Sequence, residues 1–138
     1  MALIPLALGF GLRLYYLAQA APFVDEPTTL LAAQAVASSG VPTLPSGLFY
    51  GNDLPFSYLS GGLLMVFGPH LETIRMFSLV VSVLTLALVY QMGKQLFSPW
   101  VGIWGALLLA LTPEAIRWGG RARAYALLAF LVLLAVWL

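Results

Sequence analysis

Four stretches of the chain are almost unbroken runs of apolar residues, and the polar positions gather between them. Leu3 to Ala21 is interrupted only by Arg13 and Gln19, and Thr73 to Met92, Trp100 to Leu111 and Ala124 to Leu138 repeat the pattern. Runs of this kind predict helices that cross a bilayer, each needing about 20 apolar residues. The predicted spans are 3–21, 73–92, 100–112 and 124–138, with an external loop over 22–72 that carries surface helices.

Between the first two runs the character changes, with Pro22, Pro27, Pro42, Pro45 and Pro55, the glycines Gly40, Gly47 and Gly51, and the acids Asp25, Glu26 and Asp53. Inside this segment Thr28 to Ser38 has apolar residues at helical spacing and Gly40 as a stop, which predicts a short helix along the membrane surface. Phe56 to Phe67 is apolar but too short to span easily, and Gly68-Pro69 closes it as an interfacial or re-entrant helix. Gly93 to Pro99 reads as a tight polar turn, and Gly102 and Gly105 allow close helix contact in the third run.

Composition strengthens this reading. The 138 residues are 62% hydrophobic and 8% charged, with a mean hydropathy of +0.97, against about a quarter charged in soluble domains. The expected fold is an all-α integral membrane protein of about four spans in a single transmembrane domain, 1–138. Six basic and five acidic residues are thinly spread, so no basic stripe points to nucleic acid. The absence of cysteine removes disulfides and thiolate metal sites. The start lacks the basic region of a signal peptide, although Gln19-Ala20-Ala21 is a weak cleavage-like motif, so a retained first span is expected. The last run stops at Leu138 without a polar flank, which predicts a fragment or truncated version of a larger membrane protein.

Charge adds candidate chemistry. Counting spans puts loop 22–72 and the segment Glu114 to Arg123 on one face and Lys94 on the other. The cytoplasmic bias of basic residues favours Lys94 inside but leaves Arg117, Arg121 and Arg123 outside against that bias. If 56–67 crosses the bilayer, the long loop moves to the side opposite the arginines. Arginines kept outside suggest an anion to bind, with phosphate matching the guanidinium fork; the alternative is snorkelling to lipid headgroups. Asp25-Glu26 lies where the first span meets water, so a partly desolvated carboxylate there can serve as a base. Either acid can instead cap the following helix, with Pro27 in its first turn. Arg13 is read as snorkelling, although a buried partner such as Asp25 is open to it, and Arg75 as a membrane anchor. Asp53 and Glu72 are read as solvated, and lone His70 as interfacial rather than metal-binding. Tyr15, Tyr16, Trp100, Trp118 and Tyr125 fit an aromatic belt.

The order of these pieces carries a resemblance. A first span is followed by Asp25-Glu26, a surface helix ending Ser39-Gly40, and the segment Leu54-Pro55-Phe56-Ser57-Tyr58 closing at Val66-Phe67-Gly68. Then come Ile74-Arg75-Met76-Phe77-Ser78, Val89 to Lys94, Leu109 to Pro113 and Arg121 to Leu127. This resembles the N-terminal part of the polyprenyl-phosphate-sugar-dependent glycosyltransferases of the GT-C fold, the group of protein O-mannosyltransferases and aminoarabinose transferases of lipid A. The resemblance implies that Asp25 is the catalytic base on the acceptor hydroxyl, with Glu26 as its acidic neighbour. It places Arg121 and Arg123 by the lipid-phosphate leaving group; Arg117 is a further candidate phosphate contact because the span count leaves it outside with them. A polyprenyl-phosphate-linked sugar would be the donor, and a divalent metal is compatible with the reaction. Two positions depart from the family pattern. Asn52-Asp53-Leu54-Pro55 lacks a lysine found in many members, and no acid stands near Tyr125.

The expected function is therefore transfer of a sugar from a polyprenyl phosphate to an acceptor on the external face of a prokaryotic inner membrane, in a multi-pass protein. Membrane lipids, the lipid-linked sugar and other membrane subunits are the expected partners. Two rivals stand beside it. One is a non-catalytic accessory subunit packed within a larger membrane complex. The other is a lipid-binding or transport module in which the arginines hold a phospholipid and Asp25 is dispensable.

Overall fold

The computed structural model describes residues 3–138, and among them the chain forms seven helices and no strand. They are α1 (Leu3–Gln19), α2 (Glu26–Ser39), α3 (Leu54–Phe67), α4 (Leu71–Leu96), α5 (Pro99–Leu111), α6 (Pro113–Gly119) and α7 (Tyr125–Trp137). The all-α expectation holds. Helix α4 organises the rest: α1, α5 and α7 pack along it, and α3 leans on it while also packing against α2. Ile74, Leu79 and Leu86 of α4 are fully buried, as are Ala106 and Ala110 of α5, and Ile74 belongs to a core cluster with Ala33, Phe56, Leu64 and Leu127. Apolar side chains elsewhere, including Leu108, Leu128 and Val132, point outward.

The length of α4, 26 residues, gives about 39 Å at 1.5 Å per residue, enough to cross ~30 Å of hydrocarbon. It is the single helix among the described residues that is long and apolar enough on its own. The helices in the other three predicted runs are 17, 13 and 13 residues long. Proline limits one of them: α5 begins at Pro99 and stops at Thr112-Pro113, where the chain bends by 69° into α6. With the bend counted as one broken element, α5 and α6 together make a second candidate.

Two local expectations are corrected. The predicted turn at Gly93 is helical through Leu96, because Gly93 serves a helix crossing. A Cβ there would lie 2.6 Å from the Cα of Gly102 on α5, so two glycines facing each other let α4 and α5 touch backbone to backbone. The segment 114–123, expected as a loop, holds α6 up to Gly119, started by Pro113 at its first position. Gly40 stops α2 as expected, in the left-handed conformation at φ 76°. Ser98, read only as part of the turn, caps α5 by accepting from the Val101 amide.

Candidate functional site

At one end of the bundle the C-terminus of α1, the N-termini of α2, α4 and α7, and the α6–α7 turn meet around the carboxylate of Glu26. This side chain is fully buried. Its Oε2 accepts from Arg75 Nη2 and the Phe23 amide, each at 2.7 Å, and its Oε1 accepts from Arg75 Nε at 3.0 Å and the Ala122 amide at 2.7 Å. Arg75 Nη1 donates to the Ala20 carbonyl at 3.3 Å. One carboxylate thus ties the α1–α2 loop, α4 and the α6–α7 turn together. Burial alone would raise the pKa of Glu26, but the Arg75 guanidinium and the two amides outweigh it and hold the carboxyl below its ordinary value.

This corrects the reading of Arg75 as a surface anchor. It is buried and paired bidentately, a geometry that arginine's planar fork favours. It also settles the capping alternatives for α2. Asp25 stands at the N-cap position, but its side chain makes no cap hydrogen bond. Its main-chain carbonyl accepts from the Thr29 amide at 3.1 Å and Thr29 Oγ1 at 3.2 Å, while Glu26 reaches back to the Phe23 amide. The Asp25 carboxylate is left half exposed, with Arg123 Nη2 at 3.8 Å from its Oδ2.

Ala122 lies between the two arginines of the turn, so the Glu26 bond to its amide positions both. Arg121 is 8% exposed. Its Nε and Nη2 donate to Tyr16 Oη at 3.2 and 2.9 Å, and its guanidinium lies 4.4 Å over the Phe23 ring and 5.7 Å from that of Trp118. Arg123 Nη1 donates to Thr29 Oγ1 at 3.5 Å, and the guanidinium sits 5.6 Å from the Tyr125 ring. Burial would weaken the charge of Arg123, but its neighbours Tyr125, Tyr50 and Asp25 outweigh that and favour the cation. Arg121 Nη1 and Arg123 Nε are buried without a partner. Donors of this kind are open to an acceptor from outside the chain, such as water or a ligand oxygen.

The cluster therefore unites Asp25, Glu26, Arg121 and Arg123, and it leaves Arg117 outside. Arg117 is exposed on α6, 3.7 Å from Glu114. Arg121 does not snorkel, because aromatic faces enclose it; Tyr16 and Trp118 lie against its guanidinium, and Tyr125 packs on Trp118. Asp53, Glu72 and His70 are exposed, as expected for solvated or interfacial positions. No group of three His, Cys, Asp or Glu among the described residues could hold a metal ion, and the Glu26 oxygens are already committed to four donors. Sequence reasoning missed Arg75, Phe23 and Thr29. The signal for Arg75 was an ionisable residue at the head of an apolar run, which calls for a named partner.

This arrangement sets two guanidinium groups with unpaired donors beside a half-exposed carboxylate. Comparison with known proteins finds no matching curated protein and no matching solved structure. The family model described as dolichyl-phosphate-mannose-protein mannosyltransferase matches residues 54–138, from the start of α3 through α7 and including Arg75, Arg121 and Arg123. The chain belongs to the dolichyl-phosphate-mannose-protein mannosyltransferase family.

Proposed function

We propose that this chain is part of a multi-pass membrane glycosyltransferase that moves a sugar from a polyprenyl-phosphate donor to an acceptor hydroxyl on the external face of an inner membrane. Asp25 is the general base. It takes the proton of the acceptor hydroxyl, the oxygen attacks the anomeric carbon, and the bond from that carbon to the phosphate oxygen breaks. The lipid phosphate departs with the electron pair, and the free donors of Arg121 and Arg123 neutralise the charge that develops on it. Glu26 is a positioning residue. Arg117, at the exposed rim, contributes long-range attraction for the phosphate. In this reading α1, α4, α5 with α6, and α7 are the membrane elements, and α2 and α3 lie along the external surface.

The observation that carries the reading is the separation of roles between adjacent acids. Glu26 is consumed in structure, while Asp25 is spared from capping and held 3.8 Å from a cation that has a spare donor. Family membership supplies the reaction class. The test is Asp25→Asn in the intact protein, assayed for transfer from a lipid-phosphate sugar. Loss of turnover by about two to four orders of magnitude, the usual contribution of a general base, with unchanged membrane insertion, is expected. Normal turnover would remove Asp25 as base. Retained lipid binding that depends on Arg121 and Arg123 but not on Asp25, with no transfer by the wild type, would favour the lipid-binding module.

A further inference from the structure

Arg13 is a further buried cation near this end of the bundle, in addition to Arg75 and Arg121, and the reaction proposed above does not use it. The expectation that it snorkels is corrected: it is 1% exposed. Its partners are neutral, with Nε donating to Ser82 Oγ at 2.7 Å and Nη1 to the Gly9 carbonyl at 3.1 Å. The ion pairs among the described residues join Glu26 with Arg75, Glu114 with Arg117 and Asp25 with Arg123, and none includes Arg13. Neutral partners offset only part of the desolvation cost of a buried guanidinium.

Arg13 also borders a cavity of about 250 Å³. Ser82 and Thr85 of α4 share its inner end, apolar residues such as Leu109 and Ala129 form its walls, and exposed Glu114 and Tyr125 mark its outer end. Thr85 Oγ1 donates to the Val81 carbonyl, so its hydrogen is engaged, whereas the Ser82 hydroxyl accepts from Arg13 and keeps its own hydrogen to donate. The carboxylate of Glu114 is balanced by Arg117, so Arg13, Arg117 and Glu114 together carry one net positive charge.

We infer that this cavity is a second oxyanion site that takes the phosphate head of a lipid, with Arg13 supplying the charge and the Ser82 hydroxyl a further donor. The apolar walls favour a phosphate borne on a hydrocarbon body over a free one, since little else in the cavity replaces the water that inorganic phosphate would give up. The site stands beside the Asp25 cluster, sharing the Trp118–Tyr125 ring pair with it, but it uses none of Asp25, Arg121 and Arg123.

The test uses the full chain in a neutral detergent with Trp118 as its sole tryptophan, the others changed to phenylalanine, because Trp118 lines the cavity. Brominated phosphatidic acid should quench Trp118 saturably, and brominated diacylglycerol should not. Arg13→Gln should weaken that binding at least tenfold. Should that variant fail to fold, Ala129→Leu, which adds bulk to the cavity lining at a residue that is not a hydrogen-bond partner of Arg13, should give the same loss. Equal quenching by diacylglycerol, or wild-type saturation in the Ala129→Leu protein, would overturn the site. Competition by inorganic phosphate at concentrations equal to the lipid would overturn the lipid assignment in favour of free phosphate. Unfolding caused by Glu114→Gln as severe as that of Arg13→Gln would make Glu114 the counter-ion and overturn the proposal. Asp25→Asn should bind phosphatidic acid like the wild type, so the fate of this site is read separately from that of the transfer reaction.

Discussion

At the scale of single residues, two neighbouring carboxylates have opposite fates because of where α2 begins. Glu26 enters the helix and turns inward to Arg75, and Asp25 stays outside. Breaking a buried ion pair leaves an uncompensated charge, so Glu26→Gln should destabilise the fold by about 3–5 kcal/mol, read from thermal or denaturant unfolding in detergent. The pH dependence has a definite sign. The folded-state pKa of Glu26 is depressed, so its stabilisation is fully present above the unfolded carboxyl value, declines as pH falls from there through the folded value, and is gone below it. The stability difference between wild type and Glu26→Gln should therefore shrink on acidification through that window. A constant difference down to strongly acidic pH would mean that the carboxyl's charge is not what stabilises the junction. Arg121 shows a related economy: Phe23 at 4.4 Å and Tyr16 Oη hold it while leaving Nη1 for another acceptor.

At the scale of elements, the helix crossings depend on glycines whose neighbours are backbone. A Cβ at Gly102 would meet the Tyr90 carbonyl oxygen and lie 3.0 Å from the Lys94 amide nitrogen, neither of which can rotate away. At Gly105, one turn further along α5, the nearest atom is a Val89 methyl at 3.5 Å, an ordinary contact. Gly102→Ala should therefore cost about 1–3 kcal/mol as overpacking, while Gly105→Ala should be neutral or slightly stabilising through helix propensity. Matched unfolding midpoints for the two variants would show that α4 and α5 are free to separate. At Gly119 of α6 the crowding comes from side chains instead, and a Cβ would stand 2.9 Å from Ser82 Cβ and 3.0 Å from Arg13 Nε. The bend after Leu111 thus ends against the helix that carries Arg13.

At the scale of the whole molecule, the ends of the helices decide which loops share a side. Glu26 bonds to Ala122, and Asp25 faces Arg123, so the long loop and the arginine turn lie together, while Lys94 lies at the far end of α4, where Gln95 accepts from Trp137 Nε1. Because the chain has no cysteine, single cysteines can report sidedness directly. In sealed vesicles Ser46→Cys and Glu114→Cys should label from the same side and Lys94→Cys from the other. Labelling of Ser46→Cys and Glu114→Cys from opposite sides would mean that the junction around Glu26 does not survive in the bilayer.

The linear pattern determined the helical class, the start and stop of α2, the limits of α5 and α7, and the family, because each rests on local composition, glycine and proline punctuation or motif order. It also singled out Asp25, Glu26, Arg121 and Arg123, which the fold gathers at one end. What it could not assign were partners. Arg75 and Glu26 are 49 residues apart, Glu26 and Ala122 96, and Arg13 and Ser82 69. Such pairings arise only when α1, α4 and α7 pack side by side. In a medium with few charges, an arginine read along the chain looks alike whether it snorkels, anchors or is buried, and only the tertiary structure showed that Arg13 and Arg75 turn inward, one toward a cavity and the other toward a carboxylate.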